Sequence, residues 1–172
     1  MDRVTRLRRV ALLCVHFLRN SAYYRAGWNE GKTLAVDEFS VTIQGNFMDI
    51  AILEWAKLFG GFNDEHHWNK VVEDTDSFKN KMFEESGITE DQFKESWSSI
   101  KVYRDKFVAH LDSEKIMNIP VLDIPIAVTK YYYNFALNEL EAKDIKNLPI
   151  DIESYYTHCL GASEEYYRSI NT

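Results

Sequence analysis

The sequence predicts an all-α fold: one bundle of four to five long helices, with short helices in a connector over residues 63–85, in a single domain spanning 1–172. Three observations carry that expectation. Apolar residues recur at three- and four-residue spacing through the long segments. Only 7 Gly and 3 Pro interrupt the 172 residues, so tight turns are few. No apolar–polar alternation runs far enough to mark a strand. As one domain a chain of this length buries roughly 70% of its unfolded surface, whereas two halves would each be marginal.

The first helix is expected over residues 2–24, because Val4, Leu7, Ala11, Cys14, Val15 and Leu18 share one helical face. Residues 27–32 form a break around Gly27 and Gly31. A second helix begins near Asp37 and stops at Gly60-Gly61, with Phe39, Ile43, Phe47, Ile50, Ala51 and Leu58 as its inward stripe. Residues 63–68 are a polar connector leading into a short helix, and a second short helix spans 77–85 before Gly87. Thr89 followed by Gln92 makes a capping box that opens a long helix to about residue 109. After a connector over 111–121, Asp123 and Pro125 start a helix that reaches about 142. The last helix follows Pro149, with Asp151 as N-cap, and continues to about 168.

The net charge of −7 is unevenly spread. Residues 1–32 hold seven Lys or Arg against Asp2 and Glu30, a net of +5, so the remainder carries −12. An acidic whole is a poor nonspecific nucleic-acid binder. The basic face of the first helix, Arg3, Arg6, Arg8 and Arg9, is either a solvated surface or an RNA contact. Cys14 and Cys159 lack CxxC spacing, as expected of reduced thiols in the cytoplasm. The Arg-rich start followed by an apolar run imitates a signal peptide. His16 interrupts the run and no small-x-small site follows, so an amphipathic core helix is expected instead. No segment reaches the roughly 18 apolar residues that span a bilayer.

Two residues violate their local pattern. The helix over 89–109 has the stripe Phe93, Trp97, Ile100, Phe107 and Leu111, and Arg104 sits in the middle of it. A guanidinium on an apolar face needs a carboxylate, a phosphate or an interface to answer it. Glu54 shows the same anomaly with opposite sign on the second helix. Either the two form a structural ion pair tying the helices together, or both line a site in which Glu54 orients Arg104 toward an anion. His110 stands at the edge of the stripe and Asp105 on its other flank; in an ideal helix Arg104 and His110 point about 120° apart.

The stretch Arg104-Asp105-Lys106-Phe107-Val108-Ala109-His110 resembles the Arg-x(4–6)-His signature of HEPN domains, in which a polar residue commonly follows the arginine. It is most similar to the abortive-infection U2-type HEPN-like proteins of bacteria. Leu53-Glu54-Trp55-Ala56-Lys57-Leu58-Phe59-Gly60 and His66-His67-Trp68 also look like that group, and the similarity covers most of residues 15–145. The resemblance implies an up-and-down helical bundle that forms a homodimer. It further implies a metal-independent endoribonuclease of a phage-defence or toxin–antitoxin system, or a catalytically silent module that binds a protein or nucleotide. Arg104, His110 and Asp105 would be the catalytic set, with Glu54 and Lys106 in support. RNA would be the substrate, with an antitoxin as a further partner, and no cofactor is expected.

Other chemistries find less support. Adjacent His66 and His67 cannot both face one site in a regular helix, and no HxxxH pair joins them with His16 or His158 to chelate a metal. Gly60-Gly61 lacks the lysine and spacing of a phosphate loop. Tyr131-Tyr132-Tyr133 and Tyr155-Tyr156 could stack bases, but three consecutive side chains cannot all face one ligand, so packing is the expected role.

Overall fold

The protein is represented by a computed structural model that describes residues 1–61, 63–108 and 118–172. Asp2 starts the first helix by accepting the Thr5 N–H at 2.9 Å, and α1 runs Arg3–Ala26. Leu7, Val10, Ala11, Cys14, Phe17 and Leu18 are buried along one side, whereas Val4 of the expected stripe is exposed. This helix is the centre of the bundle. Helices α2 (Glu38–Trp55), α6 (Asp123–Asn138) and α7 (Ile152–Ile170) all pack against it. Among the described residues, no helix is long and apolar enough to cross a membrane.

The break after α1 is a minimal antiparallel hairpin, β1 (Trp28–Asn29) with β2 (Lys32–Thr33). Its turn residues Glu30 and Gly31 take φ of 49° and 77°. Two positive φ values are what a two-residue type I′ turn requires. Strands of two residues leave no periodicity to read, so the sequence shows only a break.

Asp37 and Ser40 form a reciprocal capping box at the start of α2. The inward stripe expected for this helix is incorrect. Phe39 and Ile50 are exposed, Ile43 and Phe47 are half-buried, and only Ala51 and Leu58 of that set lie in the core. The buried face of α2 is instead Ser40, Gln44, Met48, Ala51, Ile52 and Trp55. The physical reason is that α2 is apolar on nearly every side, so its period does not distinguish inside from outside. Polar contacts then decide. Gln44 donates to the Gly27 carbonyl at 2.8 Å and accepts from Thr33 Oγ1 at 2.8 Å, which turns it toward the hairpin.

Helix α2 passes into a π-helical segment, Ala56–Gly60. The short helices α3 (Trp68–Val71) and α4 (Thr75–Ser86) follow, the latter ending at Gly87 with φ 65°. The capping box of Thr89 and Gln92 is present with both hydrogen bonds, at 2.8 and 3.2 Å, and α5 runs Glu90–Tyr103. It does not continue as α-helix to residue 109: a second π-helical segment covers Arg104–Val108. Helix α6 stops at Asn138, short of 142, and Asp151 caps α7 through the Glu153 and Ser154 N–H groups.

The arginines of α1 act mainly as fasteners. Arg3 bridges Glu73 at 3.0 Å and Glu139 at 2.7 Å and donates to the Val71 carbonyl. Arg6 donates to the Lys70 carbonyl at 3.3 Å, and Arg8 to that of Asp144. Together they tie α1 to the segments before α4 and after α6; Arg9 stands exposed.

Candidate functional site

Helices α2 and α5 meet where each changes from α to π geometry. A π-turn displaces the regular hydrogen-bond ladder by one residue, and such turns are frequent at functional sites. The Phe59 carbonyl, inside the first π segment, accepts the Trp97 indole N–H at 2.8 Å. The Phe59 ring stacks on Trp55 at 5.1 Å between centroids and meets Tyr132 and Phe93 edge-on at 5.7 and 6.2 Å. This aromatic cluster fixes the end of α2 against α5. Gly60 follows, and a Cβ built there would lie 3.3 Å from Arg104 Nη1. The glycine therefore makes room for the guanidinium.

Arg104 is about a quarter exposed (26%), so its charge is neither buried nor free in water. Its Nε and Nη2 both donate to Asp105 Oδ1, at 2.8 and 2.5 Å. Lys101 Nζ donates to the other oxygen, Oδ2, at 3.0 Å. Partial desolvation pushes the Asp105 carboxyl up, but hydrogen bonds from Arg104 and Lys101 outweigh it and leave the group below the usual carboxylate range. Asp105 is thus an anion held by two cations. Among the described residues Arg104 Nη1 has no hydrogen-bond partner, and it faces the Gly60 backbone.

Neighbouring Tyr103 is buried and donates to Asp49 Oδ1 of α2 at 2.9 Å. Burial first, and then the Asp49 carboxylate, raise its phenol well above the normal value. Tyr103 is therefore a neutral donor that joins α5 to α2 one residue before the arginine.

The expected Glu54–Arg104 pair does not occur among the described residues. Glu54, 15% exposed, accepts from Lys57 Nζ at 3.0 Å on its own helix, while Arg104 takes Asp105. Sequence reading could not choose between these partners, because both carboxylates are compatible with a charge on the apolar stripe. Lys106 is half-buried within the second π segment. His110, with Ala109 and Leu111, lies outside the described residues.

The His66-His67-Trp68 connector has a packing role. His67 is buried at the start of α3, beside Asn69 Oδ1 at 2.6 Å. Desolvation lowers its pKa, against hydrogen bonds to Asn69 and the Phe59 backbone that raise it. Tyr132 donates to the His66 carbonyl at 3.1 Å, and Trp68 stacks on Phe78 at 5.6 Å. Tyr132 and Tyr133 are fully buried, in accord with packing. Cys14 and Cys159 are buried free thiols, and burial pushes the Cys14 thiol well up. Among the described residues, no group of three or more His, Cys, Asp or Glu is placed to hold a metal ion.

Sequence reading missed Gly60 and Trp97 as parts of this site. Gly60 reads in the sequence as a helix stop and as the last residue of a HEPN-like stretch, and Trp97 as a core residue; the close approach and the hydrogen bond that give them their roles here are tertiary facts. The described residues define an all-α helical bundle in which an arginine–carboxylate pair lies at a π-turn, beside an aromatic cluster. Comparisons with protein-family models, curated proteins and solved structures return no match to this chain.

Proposed function

We propose that this chain is a HEPN-type, metal-independent endoribonuclease of a bacterial defence or toxin–antitoxin system, working as a homodimer in the cytoplasm. The observation that supports it is Arg104, a partly exposed guanidinium at the end of α5, in the motif that carries the HEPN resemblance. In this reading the RNA 2′-oxygen attacks the adjacent phosphorus and the bond to the 5′-oxygen breaks. His110 moves a proton between the two oxygens, as an imidazole titrating near neutrality is suited to do. Arg104 exchanges Asp105 for the phosphate oxygens, donating two parallel hydrogen bonds as negative charge builds. Asp105, released, orients His110. Glu54 and Lys106 support the site, and Arg9, exposed like Arg3 but outside the fastening contacts described above, contacts the RNA backbone. The products are a 2′,3′-cyclic phosphate and a 5′-hydroxyl.

The test is cleavage of total RNA by purified protein in the presence of a metal chelator, with Arg104→Ala and His110→Ala alongside. Cleavage by the native chain alone, with cyclic-phosphate ends, supports the assignment. An identical cleavage pattern from His110→Ala would refute it.

A second reading is a silent HEPN module that binds a protein, such as an antitoxin, or a nucleotide. The observation favouring it is that Asp105 already occupies two of the donors of Arg104, so any phosphate must displace a carboxylate. Harmless induced expression, together with no cleavage by any variant, distinguishes this reading from the first.

A further inference from the structure

We propose that the groove between the end of α1, the hairpin and the segment before α6 is a stacking subsite for one unpaired nucleobase, with Trp28 as its platform. The inference rests on the reading that this chain acts on RNA, and it adds that single-stranded RNA is the form bound. Of the four tryptophans, three are committed to packing. Trp55 is buried, Trp97 donates to the Phe59 carbonyl, and Trp68 stacks on Phe78. Trp28, in β1, is 38% exposed, and its ring meets one other aromatic among the described residues, Tyr24, edge-on at 6.1 Å. The hairpin does not depend on that ring. It is held by main-chain pairing, by the Leu34 N–H on the Gly27 carbonyl at 2.8 Å, and by Gln44 bridging Gly27 and Thr33. A large exposed ring without a structural task is available to a ligand.

Beside Trp28 lies a groove of about 610 Å³. Tyr24 and Trp28 line it from α1 and the hairpin, and Ile119, Pro120 and Val121 line it from the segment leading into α6. Val121 is 72% exposed and Ile119 42%, so this apolar lining is open to solvent. Among the described residues Arg25 is its one charged side chain, held by Asp123 and the Tyr156 hydroxyl. The lining therefore offers ring faces and aliphatic surface but few hydrogen-bond partners. An extended peptide laid there would leave main-chain N–H and C=O groups unpaired. A base needs only a flat apolar face, because stacking accepts any base without hydrogen bonds. Bases in a duplex are already stacked on one another, so the subsite selects single strands.

Position links the groove to Arg104. The Tyr24 phenol is close enough to Tyr103 to act on its charge, and Tyr103 immediately precedes Arg104. One wall of the groove thus adjoins the residue before the guanidinium. A base seated against Trp28 holds its strand on the same side of the bundle as the arginine that answers the phosphate.

The experiment is fluorescence anisotropy of a short labelled RNA, single-stranded or annealed to its complement. The full chain carries His110→Ala, so that the strand stays intact. The single strand should bind more tightly than the duplex. Trp28→Ala on this background should weaken single-strand binding by about tenfold, whereas Trp28→Phe, which keeps a ring face, should retain most of it. Val121→Asp sets a carboxylate in the groove at an exposed position and should weaken binding as well, by repelling the backbone. Circular dichroism checks that each variant keeps its helices. Binding that Trp28→Ala and Val121→Asp leave unchanged overturns the proposal, as does equal affinity for strand and duplex, or no binding of either. The ribonuclease reading fails separately. A native chain that binds the strand through Trp28 and cleaves nothing keeps the subsite and loses the catalysis. Native cleavage whose KM is the same in Trp28→Ala does the reverse.

Discussion

The Trp97 indole nitrogen lies 2.8 Å from the Phe59 carbonyl oxygen, and this bond ties α5 to the π-turn that closes α2. Irregular helical turns need their displaced carbonyls satisfied by something else, and here the partner comes from a different helix. Trp97→Phe keeps most of the ring and removes the donor. It should lower stability by about 1–2 kcal/mol, the usual cost of leaving a part-buried carbonyl short of its bond. The urea midpoint reports it, and an unchanged midpoint would show that this bond does not stabilise the turn.

His67 makes the same junction pH-dependent. Burial disfavours its charged form, so its folded pKa lies below the ordinary 6.5. The unfolded chain then binds the proton more readily than the native one. Stability is complete above about pH 6.5 and is lost as pH falls from there through the folded value. His67→Gln should flatten the urea midpoint between pH 7.5 and 5, an interval that lies above the lowered titrations of Asp105 and Glu90. A native chain whose midpoint is flat over that interval would contradict the assignment.

The caps were the most legible part of this fold. Thr89 with Gln92, Asp151 and Gly87 mark helix ends through chemistry contained within a few residues, and each end lies within two residues of its expected position. The orientation of α2 was not legible, because a helix apolar on both sides has no period to read. Nor were the π-turns: Arg104 and Glu54 stand out in the sequence as misplaced charges, but which carboxylate answers Arg104 depends on turn geometry that spacing alone does not encode.

Two glycines offer opposite outcomes from one substitution. A Cβ at Gly27 would lie 2.4 Å from Gln44 Nε2 and 2.9 Å from Tyr167 Cζ. Gln44 is held by two hydrogen bonds, to Gly27 and from Thr33, and Tyr167 is buried, so neither yields readily. Gly27→Ala should cost about 1–3 kcal/mol, the range for overfilled cores. Gly45 lies within α2, where a Cβ meets nothing within 4 Å. Gly45→Ala should stabilise by about 0.5–1 kcal/mol through helix propensity. Thermal melts of the two variants should shift in opposite directions.

Arg104 separates stability from function most sharply. Its ion pair with Asp105 is part-exposed, and Lys101 still neutralises the carboxylate when the guanidinium is removed. Arg104→Ala should therefore change stability by less than about 1 kcal/mol. If the arginine stabilises charge on a phosphate, the same variant should lose about 100-fold or more in RNA cleavage. Arg104→Lys should not restore it, since an ammonium cannot present two parallel donors to a phosphate. The decisive measurement is therefore the pair of readouts on Arg104→Lys. A well-folded protein with near-native cleavage would show that charge alone suffices, which removes the bidentate role from the mechanism. A destabilised protein would instead make Arg104 a structural fastener like Arg3 and Arg8.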